Sequence, residues 1–186
     1  MTLVELLVAM VLVSVLGAIV SVAVMMSNKQ VRIAEDEATG LSDTRVVVER
    51  LGRDIRGSRG VDAGATQSNL VLWIDYNSDY IRSATSQADE IITWSVVDNG
   101  SGVQYNTLRS TAGGQVQTQA RTLVNQLAFC YLASAAPNAP CLPVPLSATN
   151  AAATKLVRVT LRYDASLSAG SAARTTTFTE RIRNVS

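Results

Sequence analysis

Four groups of residues in this chain have types and spacings that could do chemistry. The first is Glu5, a lone carboxylate in MTLVELLVAMVLVSVLGAIV, a segment otherwise apolar enough for lipid. With Thr2 it has the S/T-x-x-E spacing of a capping box, where the acid reaches back to the cap residue's N–H and suits the positive helix end. A second role is open to it. In a helix bundle stripped of water a bare carboxylate is costly, and the amino terminus at Met1 of an adjacent helix, cationic near neutral pH, could compensate it.

The second group is Cys130 and Cys141 in FCYLASAAPNAPC. Their gap is neither a CxxC redox spacing nor a zinc spacing. Because the apolar first segment points to an exported domain, a disulfide closing a surface loop is preferred to two unrelated buried thiols. The third group is Asp75, Asn77 and Asp79 in DYNSD, which alternate like the opening of an oxygen-ligand calcium loop. Tyr80 and Ser86 then stand where an EF-hand places Gly and a bidentate Glu. The stretch is read as a polar turn after a strand, and a loop site recruiting Asp89 or Glu90 is the rival. The fourth is the row Arg50, Arg53, Arg56 and Arg59. It is read as cations at the negative end of a helix, and a DNA-binding stripe is the rival, disfavoured by the alternating Glu49 and Asp54 and by the lack of interleaved aromatics.

The chain contains no histidine, which removes Ser-His-Asp triads, imidazole metal sites and the commonest general base together. No Gly-rich phosphate loop follows a strand, so neither enzymatic activity nor a cofactor is expected. The net charge of +1 marks no global polyanion partner, and 47% hydrophobic content with 17% charge argues for a folded domain.

The elements that must position these groups follow from periodicity. Residues 1–27 are long and apolar enough to span a bilayer, and charge begins only at Lys29 and Arg32. Nothing basic precedes the segment, which runs against the positive-inside tendency unless the amino end faces out or a basic leader has been removed. A secretory signal peptide fits poorly, since a small-residue cleavage site and a basic start are both missing. Residues 28–60 continue as an amphipathic helix: Val31, Ala34, Ala38, Leu41, Val48, Leu51 and Ile55 form an apolar stripe at three-four spacing. Glu35, Asp36, Glu37, Asp43, Arg50 and Arg53 occupy the other face, and Glu49 with Arg53 has the favourable acid-first order. The acidic run Glu35, Asp36 and Glu37 and the basic residues Arg50 and Arg53 lie too far apart to meet within one helix, so staggered neighbours could pair them. Gly57 and Gly60 end the helix.

Residues 61–186 change to short runs bounded by turn residues. NLVLWIDY, EIITWSVVD, VQYNTLRST, NQLAFCYL, KLVRVTLRYD and TTTFTERIRN each read as a strand, and DNGSG as a hairpin turn between the second and third. In KLVRVTLRY the apolar Leu156, Val157, Val159, Leu161 and Tyr163 divide unevenly between the two faces. SAAPNAPCLPVPLSATNAAAT is the long irregular stretch, carrying the 130–141 loop, and Trp73, Trp94 and Tyr76 are expected in the sheet core. The expectation is an α+β domain in which an antiparallel sheet wraps the second half of the helix.

At this point the residues carry a resemblance. TLVELLVAMVLVSVLG, with its acid at position 5, resembles the mature amino terminus of type IV filament subunits. That family implies the type IV pilin fold, removal of a short basic leader by prepilin peptidase, and N-methylation of the new first residue, here Met1. It departs at Met1, where Phe is usual, and at Val22, where many major pilins have a proline; the latter points toward a minor pilin or pseudopilin. ERLGRDIRGS, RTLVNQLAFCYL and FTERIRN are similar to the pilin W and pseudopilin J subgroup. The resemblance implies a subunit held in the bacterial inner membrane by one pass and then packed with other pilins into an extracellular or periplasmic filament, starting assembly or capping the tip. A type II secretion pseudopilin and a tip-displayed binding module for DNA or surfaces are the alternatives.

Overall fold

A computed structural model describes residues 3–78, 80, 90–98, 106–126, 128–136, 139–164 and 173–183; within it the side chains of residues 5, 36, 37, 39–41, 43, 121 and 122 are outside the description. Helix α1 runs Leu3–Gly57 without a break, 55 residues, or a rod of about 80 Å at ~1.5 Å per residue. No proline occurs before position 137, so nothing removes a helical N–H along this length. The helix stops where Ser58, fully buried, turns its hydroxyl back to Ile55 O at 2.7 Å, and Arg59 N bonds to Trp73 O at 2.8 Å instead of continuing the helical ladder.

The strands are β1 (Gly60–Val61), β2 (Asn69–Trp73), β3 (Ile91–Val97), β4 (Asn106–Ala112), β5 (Gln115–Leu123), β6 (Phe129–Leu132), β7 (Leu156–Tyr163) and β8 (Arg174–Arg181); a short helix α2 (Ala148–Ala153) precedes β7. All neighbouring strands are antiparallel. β1 to β5 form a meander, β5 and β6 share one edge of β7, and β8 covers its other edge along the full length. The architecture is α+β, as expected.

Several details correct the sequence reading. β5 is a strand that polarity concealed, joined to β4 by the two-residue turn Gly113–Gly114, both with positive φ (55° and 75°). That backbone is the one a tight hairpin requires and that only glycine adopts without strain. The DNGSG tip lies mostly outside the described residues, although β3 and β4 pair as that turn implies. In β7 the alternation is strict: Val157, Val159, Leu161 and Tyr163 are buried, and Leu156 belongs to the other face. Within the stretch expected to be irregular, Ser147 caps α2 by accepting from Asn150 N at 3.2 Å. Cys130 and Cys141 are disulfide-bonded, which closes that stretch against β6 and stabilises by roughly 2–3 kcal/mol through limiting the unfolded chain.

The core lies between the sheet and the last turns of α1. Val47, Leu51 and Ile55 form one i+4 row, all buried, with Val48 beside them. Gly52 lets β8 approach, since a Cβ there would stand 3.2 Å from the Glu180 carboxylate. The amphipathic stripe is therefore only partly covered: Leu51 and Ile55 are buried and Val48 half-buried, but Val31, Ala34 and Ala38 face solvent. Trp94 is completely buried, and its indole N–H donates to Asp54 on α1 at 2.9 Å, tying β3 to the helix. Tyr76, expected in the core, is 63% exposed. Asn125 fills the gap between β5 and β6, its amide replacing a missing peptide: Nδ2 donates to Thr160 O at 2.8 Å, and Oδ1 accepts from Arg162 N at 2.7 Å.

Candidate functional site

The first half of α1 is the largest feature that the fold leaves unused. From Leu3 to Met26 every large apolar side chain is about half exposed or more. Leu6–Glu35 forms a helix long and apolar enough to cross a membrane, with none of that apolar window buried in the chain itself. Its hydroxyls do not spoil it for lipid. Ser14 Oγ donates to Met10 O and Ser21 Oγ to Gly17 O, both at 2.8 Å, so each is satisfied within the helix. Glu5 is the one acid in this half; its side chain, Met1 and Thr2 lie outside the described residues.

At the other end of α1 the arginine row is taken up within the chain. Arg53 meets Glu49 at 3.5 Å, the expected i,i+4 pair, and Arg56 meets Glu180 of β8. Arg50 reaches Gln119 Oε1 at 3.4 Å and lies close enough to Asp54 to act on its charge. Arg59 Nε lies 2.8 Å from Asp75 Oδ2, an ion contact without hydrogen-bond alignment, with the Asp75 carboxylate fully buried. The ring of Tyr80 stacks 4.0 Å from the Arg59 guanidinium carbon. So aromatics do accompany the row, Tyr76 and Tyr80 both being exposed, but its cations have in-chain partners, which weakens it as a stripe for phosphates. Asp75, the first residue of the calcium pattern, faces Arg59 instead of an open loop. Asn77 is exposed, and Asp79 and Asp89 lie outside the described residues, as do the side chains of Asp36 and Glu37. Glu35 is exposed on α1. Among the described residues no three His, Cys, Asp or Glu side chains converge.

No family model, curated protein or solved structure matches this chain. Its reading rests on its own physics.

Asp54 gives that physics a pH signature. Burial raises its carboxyl above the usual aspartate range, outweighing the Trp94 N–H and the Arg50 and Arg53 charges, which lower it. A folded pKa above the unfolded one means that the folded state holds more protons between the two values, so stability falls as pH rises through that window. Asp54→Asn keeps an acceptor for Trp94 and loses the buried charge. It is expected to flatten the melting temperature above pH 4 and to match or exceed the parent at pH 7. A clear loss of stability at pH 7 would show instead that the Asp54 charge supports the helix–sheet joint.

Proposed function

We propose that this chain is a minor pilin-like structural subunit of a type IV filament, anchored in the bacterial inner membrane through α1 and then packed by the same helix against other pilins or pseudopilins. The observation that carries the reading is the division of one uninterrupted helix. Its last turns are fixed to a sheet, while its first half is apolar on all sides and uncovered. Such a surface is stable only in lipid or among other apolar helices. A rigid rod that keeps its domain in place can exchange one environment for the other without refolding. The lone acid at position 5 fits the same reading, since among packed helices it would compensate a neighbour's amino terminus. Prepilin peptidase and the other filament subunits are the partners this assigns, with initiation of assembly or capping of the tip as the task.

Mass spectrometry of the amino terminus from native cells tests the proposal. The expected result is an N-methylated Met1 in a chain that co-purifies with sheared filaments. A longer, uncleaved start would overturn it.

A further inference from the structure

The edges of the sheet are finished differently. β1 is only two residues long, and beside it Arg59 N bonds to Trp73 O and Asp62 N to Val71 O. The outer side of β6 is covered where Phe129 N bonds to Gln67 O and Leu142 N to Tyr131 O. β5 runs beyond its one pairing with β7 at Leu123, but its ladder with β4 carries two register shifts, which twist an edge away from flat pairing. β8 has no such cover. It is eight residues long and pairs with β7 in unbroken register from Arg174 to Arg181. It contains neither proline nor lysine, so apart from an arginine at each end it lacks the devices that blunt a sheet edge.

The direction of its backbone groups follows from β7. Thr160 N donates to Ala128 O, and the Asn125 amide donates to Thr160 O and accepts from Arg162 N. The even-numbered residues of β7 therefore face β5 and β6, and the odd-numbered ones face Arg174, Thr176, Phe178 and Glu180 of β8. This leaves the N–H and C=O of Thr175, Thr177, Thr179 and Arg181 pointing away from the sheet, and no described residue bonds to them. All four residues are exposed. The next outward group, Arg183 N, is taken by Ser58 O at the end of α1, which limits the free edge on that side.

We propose that the edge Thr175–Arg181 takes up an extended acidic peptide segment of another protein as an added antiparallel strand. Alternating donors and acceptors over roughly 20 Å, at about 3.4 Å per residue, are complementary to a peptide backbone and to little else. The side chains set the preference. On the outer face stand Arg181 and, across the ladder, Arg158 and Arg162, whereas Asp164 is buried and Glu180 is on the helix side with Arg56. Partner residues opposite Thr175, Thr177, Thr179 and Arg181 share that outer face, where carboxylates are favoured. On the helix side Phe178 packs on the core yet stays half-buried, so an apolar β-branched partner residue beside it completes its cover. A second copy is the poorer occupant. Antiparallel pairing of β8 with β8 implies a two-fold axis normal to the sheet, which turns the two α1 rods in opposite directions. Two anchors so turned cannot enter one membrane from the same side, and this exclusion alone rests on the membrane reading of α1.

The full chain in phosphatidylcholine nanodiscs, titrated with a fluorescent peptide of alternating Glu and Val about nine residues long, tests the proposal by anisotropy. Saturable binding is expected, and a peptide with Lys in place of Glu should bind roughly tenfold more weakly or worse. Backbone methylation reads the edge directly. N-methylation of the Glu residues removes the donors that face β8 and should cost roughly tenfold or more, whereas N-methylation of the Val residues, whose N–H groups face solvent, should leave affinity within about twofold. In the chain, Thr177→Pro removes an outward N–H but no bond to β7, so it should weaken the parent peptide strongly while melting within a few degrees of the parent. If that variant does not fold, the two methylated peptides on the parent chain decide alone. Equal binding of those two peptides, unchanged binding by a folded Thr177→Pro, or no saturation up to about 1 mM peptide would each overturn the proposal. Equal affinity for the Lys peptide would overturn the acidic class. Self-association of the parent that Thr177→Pro abolishes, without peptide binding, would give the edge to a second copy instead. None of these outcomes depends on filament assembly.

Discussion

Glu5→Gln is expected to leave the chain inserted in the membrane and processed, while removing it from filaments. The two roles open to Glu5 separate at this substitution. Gln satisfies a capping box with Thr2 as Glu does, so a purely local role predicts no change. It cannot neutralise an ammonium. With Ser14 and Ser21 bonded inside their own helix, the apolar half of α1 offers a neighbour's amino terminus no other charge. Removing one partner of a buried ion pair costs about 3–5 kcal/mol, because the other is left uncompensated. That corresponds to a loss of incorporation between roughly a hundred-fold and several thousand-fold, at ~1.4 kcal/mol per tenfold. Glu5→Leu should do no better. The measurement is the ratio of the sheared filament fraction to the membrane pool, and normal incorporation of the Gln variant would leave Glu5 only its cap.

Asp75→Ala should be the most damaging single change in the sheet domain. It strands Arg59, whose side chain is 16% exposed against 0% for Asp75. The expected cost is about 3–5 kcal/mol, a fall in melting temperature on the order of 10 °C or more for a domain of this size. Asp75→Asn keeps the volume and loses the charge, so it should be nearly as severe. The double variant Asp75→Leu with Arg59→Met should recover most of the loss, because a well-packed apolar pair avoids desolvating two ions. The same melts address the calcium pattern. A metal-binding Asp75 predicts that millimolar calcium raises the parent's melting temperature, and the ion pair predicts no shift. A single variant that melts within a few degrees of the parent would reject the structural role.

The helix was legible because an unbroken apolar run followed by three-four spacing has one reading, and the disulfide because two cysteines 11 positions apart after a membrane-length apolar helix suit neither a redox nor a zinc spacing. Which turns of the helix are covered was not legible. That depends on the width of the sheet, and the row that docks is 47, 51 and 55 because i+4 ridges, not the average stripe, meet the sheet. β5 was missed because QVQTQARTL has no apolar face, although Gly113–Gly114 was a hairpin signal in plain view. Carrying the alternation of Leu70, Leu72 and Ile74 one step further would bury Tyr76. The strand instead ends at Trp73, and the chain turns through a left-handed Ser78. Apart from Glu49, which the i,i+4 spacing gave to Arg53, the partners of the arginine row come from β8, β5 and the turn after β2, distances in sequence that no local pattern encodes. Which strands lie side by side was hidden for the same reason: alternation assigns a residue to a face, and only the register shows which strand it lies beside.

The position of β7 sets the timetable of folding during synthesis. A chain emerging amino end first can zip β2 through β5 hairpin by hairpin, each strand finding its partner immediately before it. β6 has no such neighbour. Its ladder, the end of β5, the two bonds from Asn125 and the whole of β8 all wait for the single segment Leu156–Tyr163. Until that segment arrives, Phe129 and Tyr131 have no strand beside them, and the growing intermediate presents an open β5 end to any other extended chain. Once it does, three seams close together. A pause in synthesis between Cys141 and Leu156 is therefore expected to prolong the interval in which Phe129 and Tyr131 lack their partner strand.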